Sequence, residues 1–201
     1  RNNRFLRLVN NKNSGLLSLS PFNKKLTLLV DNNTFSKISV RGESNNELMN
    51  SVGVVVTVKP HKSELLSEDE ETRETQLELN MVFKDCQVDN TENGFAIKLI
   101  KTFCRECSIR NTTFSAVEKE IILGMGIVGI SEGTTGELYI EDITLPLWTP
   151  EAFPFFQILN SEFFLKLERI IYISSIADHF FLALMDSGSL LLKDVIFQSI
   201  A

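Results

Sequence analysis

The sequence predicts an all-β chain wound as a β-solenoid of about seven coils, with a period of about 27 residues, forming one domain over residues 1–201. Three observations predict it. One spacing of apolar residues recurs along the chain, Asn or Asp recurs at a fixed place inside that spacing, and no stretch keeps a helical period. The spacing is clearest in Ser189–Phe197, where Leu190, Leu192, Val195 and Phe197 define offsets 0, 2, 5 and 7. The same offsets hold Leu165/Leu167/Ile170/Tyr172, Leu138/Ile140/Ile143/Leu145 and Cys107/Ile109/Thr112/Phe114. Earlier copies are Met81/Phe83/Cys86/Val88 and Leu28/Val30/Asn33/Phe35.

The copies start 53, 26, 31, 27 and 25 residues apart. Because the first gap is double the others, a further copy is expected near residue 54, where Val54-Val55-Val56-Thr57-Val58 stands. Each coil reads as two strands. Strand one is expected at Leu16–Leu19, Phe95–Leu99, Glu120–Leu123, Phe155–Ile158 and Phe180–Leu184. Strand two is the motif, in which offsets 0 and 2 alternate with outward residues as a half-buried strand requires.

Offsets 2 and 5 are three apart, so both face inward only if the chain bends between them. Offset 4 reads Asn32, Val58, Asp85, Asn111, Asp142, Arg169 and Asp194. Asn and Asp are the non-glycine residues that best tolerate positive φ and bond their own backbone. Offset 3 is polar in every copy, from Asp31 to Lys193. The one helical reading is a short helix around Pro150–Phe153. Residues 41–50 read as a surface loop. Residues 59–76, with Glu68-Asp69-Glu70-Glu71, read as an acidic loop projecting from the stack.

A net charge of −6 without a clustered Lys/Arg face argues against nucleic acid. No apolar run is long enough to span a bilayer in this segment. The start at Arg1-Asn2-Asn3-Arg4 lacks a signal-peptide pattern, and the end at Ala201 interrupts a copy. The chain therefore reads as a fragment of a longer protein.

Residues that invite chemistry have plainer explanations. Cys104-x-x-Cys107 lacks the strand-to-helix context of a redox site and the second pair of a zinc site. Cys107 fills an inward slot, so a buried apolar role is expected, and three cysteines form no disulfide framework. Asp178-His179 reads as a solvated pair at a turn, and His61 is the other histidine. Gly124-Met125-Gly126-Ile127-Val128-Gly129 matches a dinucleotide-loop spacing, but a turn and a strand follow it where a helix is required. The acidic run lacks the alternating spacing of a calcium loop. Asn32-Asn33-Thr34 and Asn111-Thr112-Thr113 are glycosylation sequons, with Asn32 and Asn111 at the exposed bend.

In period, slot type and phrases such as Asn32-Asn33-Thr34-Phe35-Ser36 and Asn111-Thr112-Thr113-Phe114-Ser115, the chain resembles the right-handed parallel β-helix, or pectin-lyase-like, superfamily. The phrases are similar to those of repeat-rich surface proteins of protists and bacteria. The resemblance implies a right-handed parallel β-helix. Its hydrolase branch implies Asn-Thr-Asp, Asp-Asp, Gly-His-Gly and Arg-Ile-Lys phrases, and none of these occurs here. Its lyase branch implies an outward Asp cluster, and only the offset-4 residues align that way.

The expected function is therefore a non-catalytic scaffold, part of a large extracellular or surface protein. No cofactor or metal is expected, and the partners are proteins or flanking coils of the same chain. Two alternatives stand beside it. One is a carbohydrate-active or glycan-binding β-helix. The other is an intracellular assembly component.

Overall fold

The computed structural model describes residues 3–6, 9–10, 16–21, 24–36, 39–40, 53–61, 76–89, 94–115, 125–145, 156–159, 161–174, 183–185 and 188–199. Among these residues every element is a β-strand, and every strand pairing is parallel.

The strands are β1 (Asn3–Leu6), β2 (Val9–Asn10), β3 (Leu17–Leu19), β4 (Lys25–Asp31), β5 (Asn33–Ser36), β6 (Ser39–Val40) and β7 (Gly53–Val58). Then come β8 (Leu77–Lys84), β9 (Gln87–Asp89), β10 (Gly94–Ile100), β11 (Thr102–Arg110), β12 (Thr113–Ser115) and β13 (Met125–Ser131). The last are β14 (Thr135–Leu145), β15 (Phe156–Ile158), β16 (Phe163–Ser174), β17 (Ala183–Met185), β18 (Ser189–Lys193) and β19 (Ile196–Ser199).

They form an eleven-stranded sheet, a six-stranded sheet ordered β17-β15-β13-β10-β7-β3, and the small pair β2-β6. Strand-one segments make the six-stranded sheet and the motif makes the large one. Side chains from both sheets join one buried cluster, so the core lies between them.

The register follows the apolar slots. Leu28, Met81, Cys107, Leu138, Leu165 and Leu190 are successive Cα partners across β4, β8, β11, β14, β16 and β18. The offset-2 column, Val30 through Leu192, pairs in the same way. Each interior position of these columns is buried, and each Leu or Ile withdrawn from water contributes about 1.5–3 kcal/mol. A slip of one residue would turn both columns outward, so this burial fixes the register.

Offset 4 makes the bend. Asn32, Asp85, Asn111, Asp142, Arg169 and Asp194 have φ of 54°, 53°, 43°, 56°, 52° and 53°. β14 and β16 continue past this residue, though their ladder skips from Glu141/Glu168 to Ile143/Ile170; in the other copies the strand ends just before it. Three offset-5 side chains then bond back across the bend to the carbonyl of offset 3. Asn33 Nδ2 donates to Asp31 O at 2.9 Å, Cys86 Sγ to Lys84 O at 3.0 Å, and Thr112 Oγ1 to Arg110 O at 2.9 Å. Later copies place Ile143, Ile170 and Val195 at this offset instead.

The copy expected at Val54 is corrected by the pairing. Val54–Val58 lies in β7, between β3 and β10 in the six-stranded sheet, and β4 pairs directly with β8. An all-apolar run satisfies offsets 0 and 2 trivially. The distinguishing signal was Val58 at offset 4, where a β-branched residue resists positive φ. The strand preceding β14 is Met125–Ser131, while the expected Glu120–Leu123 lies outside the described residues. The short helix expected at 150–153, the loop at 41–50 and the acidic run at 68–71 also lie outside them.

Candidate functional site

The outward side chains nearest the bend, at offsets 3 and 4, form the densest charged surface among the described residues. The strand alternation turns offset 3 away from the core, and the left-handed residue after it projects at the corner. Stacked in register, these positions bring charges from successive copies together.

At one end Lys84 Nζ lies 3.3 Å from Asp31 and 3.8 Å from Asp85, whose Oδ1 accepts a 2.7 Å hydrogen bond from Asn111 Nδ2. Arg110 pairs with Glu141 at 2.8 Å. Glu141 and Glu168 are direct neighbours in the ladder, a repulsive pairing for two carboxylates. Arg169 resolves it. Its guanidinium reaches Glu141 at 2.9 Å and Asp142 at 2.6 Å, and it also bonds Glu168. Glu168 is further held by Lys166 at 2.8 Å and Lys193 at 2.9 Å.

The titrations follow from these contacts. Hydrogen bonds from Lys166 and then Lys193 pull the Glu168 carboxyl down to about 2. Arg169 holds Asp142 below its ordinary range, and Asp142 in turn raises the Arg169 guanidinium. A similar trio lies further along the same face. Glu78 accepts from Lys25 at 3.0 Å and Arg105 at 3.0 Å, and its carboxyl is lowered, chiefly by Lys25. A groove of about 340 Å³ opens beside the bend, lined by Asp142, Ile143, Thr144, Arg169, Ile171, Asp194 and Ile196. Here a groove and fixed charges coincide. Within it Arg169 and Asp142 already bond each other.

The other candidates from the sequence fall as follows. Asn32 and Asn111 are both exposed at the bend. Cys86, Cys104 and Cys107 are free thiols buried in the core. The hydrogen bond with Cys107, followed by burial, raises Cys104 well above the ordinary thiol value, and burial raises Cys86. Such thiols are poor nucleophiles. The described part of the glycine motif lies on strand β13, not at a strand-to-helix turn. There Gly129 leaves room for its neighbours: a Cβ would stand 2.6 Å from Phe95 Cδ2 and 2.8 Å from Lys98 Cδ. His61 is exposed, whereas His179 and Asp178 lie outside the described residues. Among the described residues no cluster of His, Cys, Asp or Glu suits a metal ion.

Lys98 gave no signal in the sequence because it interrupts an apolar strand. It is 1% exposed, on a ladder row with Thr57, Gly129 and Gln157. Its Nζ sits 5.3 Å from the centroid of the Phe95 ring, and burial pushes its pKa down to about 8 against a weaker pull from Glu132. Gln157 Oε1, also buried, has no hydrogen-bond partner among the described residues. No helix among the described residues is long and apolar enough to cross a membrane. No family model, no curated protein and no solved structure matches this chain.

Proposed function

We propose that the chain is a right-handed parallel β-helix of the pectin-lyase-like type. We further propose that it serves as a non-catalytic scaffold, one stretch of a large extracellular or surface repeat protein. The number of coils is about seven if the strand β1 opens a coil of its own. The observation that carries this reading is the use of the outward charges. Along the bend Asp31, Lys84, Arg110, Glu141, Glu168 and Lys193 are each engaged by a side chain from an adjacent strand. Cohesion between copies absorbs the groups that a reaction would require to be free. The sequons support the extracellular assignment, because Asn32 and Asn111 stand exposed at projecting corners of one column, with Asp85 between them.

Two specific observations favour other readings. The groove holding Arg169 between Asp142 and Asp194 suits a glycan, which supports a carbohydrate-binding or carbohydrate-active β-helix. The three buried free thiols suit a reducing compartment and support an intracellular assembly component.

The test has two arms. Incubation with polygalacturonate and related glycans is expected to release no product and give no binding curve; turnover or saturable binding overturns the scaffold reading in favour of the groove. Mass spectrometry of the native protein is expected to find glycan on Asn32 or Asn111. Bare asparagines with three reduced thiols move the protein inside the cell.

A further inference from the structure

Cys104 and Cys107 are three residues apart on β11, a spacing that puts side chains on opposite faces of a regular strand. Both nevertheless join the buried core, each 1% exposed. A β-bulge between them does this. Cys104 pairs with Leu79 and Cys107 with Met81 on β8, and on β14 their partners are Gly136 and Leu138. On both sides a step of three residues in β11 is matched by a step of two. Two residues of strand rise about 6.6 Å, at about 3.3 Å each, inside the Cα separation of about 4.4–6.8 Å that a disulfide spans.

The thiols also turn toward each other. Cys107 Sγ donates to the Leu79 carbonyl at 3.5 Å, and Leu79 is the ladder partner of Cys104, so the Cys107 side chain leans along the strand toward its neighbour. The two thiols share a hydrogen bond. Cys86 is placed differently: its Sγ lies at the bend, bonding the carbonyls of Lys84 at 3.0 Å and Val30 at 3.8 Å.

We propose that Cys104 and Cys107 are a dithiol–disulfide site, closed by exchange with a small-molecule disulfide such as that of glutathione. One cysteine, as thiolate, attacks a sulfur of the small disulfide and releases one small thiol, leaving a mixed disulfide. The second cysteine, as thiolate, attacks the first cysteine's sulfur in that bond and releases the other small thiol. Two electrons pass from the protein to the small disulfide, the two thiol protons leave with its halves, and the protein keeps one S–S bond. In the closed core the thiols are out of reach, and the raised Cys104 thiol is a poor nucleophile, so exchange passes through local opening of β11. Once closed, the bond staples the bulge. The inference goes beyond the scaffold reading and does not depend on it: the pair is closed in an oxidising compartment and open in a reducing one.

The test equilibrates the whole 201-residue chain in mixtures of glutathione and glutathione disulfide, with and without denaturant, then blocks thiols with N-ethylmaleimide and digests with trypsin. Cleavage after Lys101, Arg105 and Arg110 separates Thr102–Arg105 from Glu106–Arg110 unless a disulfide joins them. Mass spectrometry is expected to find the two peptides as one linked species, with Cys86 alkylated. At a fixed glutathione ratio, the disulfide-to-dithiol ratio should be at least about tenfold higher in the folded chain than in denaturant, because the bulge holds the two sulfurs together. Cys86→Ser should give the same linked pair, which keeps the result independent of the third thiol. Linkage through Cys86, glutathione retained on Cys104 or Cys107 without closure, alkylation of all three cysteines at every ratio, or equal ratios in the folded and denatured chain each overturns the proposal. None of these touches the scaffold reading, which falls instead to glycan turnover.

Discussion

Arg169 occupies the left-handed corner that Asp142 occupies one motif copy earlier, and its Nε bonds the Asp142 carboxylate at 2.6 Å. An arginine gains nothing from positive φ by itself. Here its guanidinium bonds both Glu141 and Glu168 and so bridges the two neighbouring carboxylates. Arg169→Ala and Arg169→Asn should both lower the thermal midpoint at low salt. The asparagine retains the corner and loses only the bridging charge. In both variants the deficit should shrink at about 1 M salt, where screening acts over about 3 Å. Melting curves at two salt concentrations check this, and a deficit that ignores salt would assign the role to backbone shape instead.

Glu168 links the same network to pH. Its carboxyl is lowered from the ordinary 4.5 to about 2 in the folded chain. A lowered folded value means that the stabilisation is fully present above the unfolded value and is lost as pH falls from about 4.5 through about 2. Asp142 and Glu78, also lowered, act in the same sense. Denaturant unfolding across this window should show a steeper acid loss for the native chain than for Glu168→Gln.

Gly136 and Gly133 form an internal contrast. At Gly136, with φ of 103°, an added Cβ would lie 2.1 Å from the Cys104 carbonyl oxygen. Gly133 has φ of 73° and open space around it. Gly136→Ala should destabilise by about 3 kcal/mol or more, and Gly133→Ala by about 1–2 kcal/mol, the cost of left-handed backbone alone. Chemical denaturation of the two variants decides it.

Lys98 lowers stability at neutral pH. Its value falls from 10.5 unfolded to about 8 folded, so the ammonium is disfavoured in the core. Below pH 8 both states carry the charge and the penalty is complete. Between about 8 and 10.5 the folded chain sheds its proton first, and stability rises with pH. Lys98→Met should therefore stabilise the protein at pH 7 by up to about 3 kcal/mol, at 1.36 kcal/mol per unit, with the gain shrinking toward pH 10. Urea titrations at pH 7 and 10 measure both numbers.

Thr112 tests the bond across the bend. Thr112→Val removes the 2.9 Å donor to Arg110 O while preserving shape, and later copies already use β-branched residues there. A loss of about 1 kcal/mol or less is expected by denaturant unfolding.

The inward columns were legible because stacking demands one residue class per slot, and Leu28 through Leu190 satisfy it. The bend was legible where Asn or Asp marks it. Two further left-handed corners were not: Lys101 at φ 49° and Glu132 at φ 56° separate strand one from strand two, and neither residue type advertises such a backbone. Val54 misled because a wholly apolar run fits any alternating template. Of the charged surface, the polar offset-3 column was legible, but which charges meet depends on reach. The reach of Arg169 to three carboxylates required coordinates. Lys98 was invisible because burial of a lysine on the far face of a strand depends on what covers that face.

The parallel pairing has a kinetic side. Leu138 meets Leu165 across 27 residues, whereas Leu28 meets Met81 across 53. Among the described residues every pairing is parallel and no hairpin shortens these searches, so the chain should fold slowly for its size. Closing the longer loop costs about 0.6 kcal/mol more than closing one half its length. The seam between β14 and β16 is then the natural nucleus, and folding should zip outward from it, with β4 among the last strands to dock.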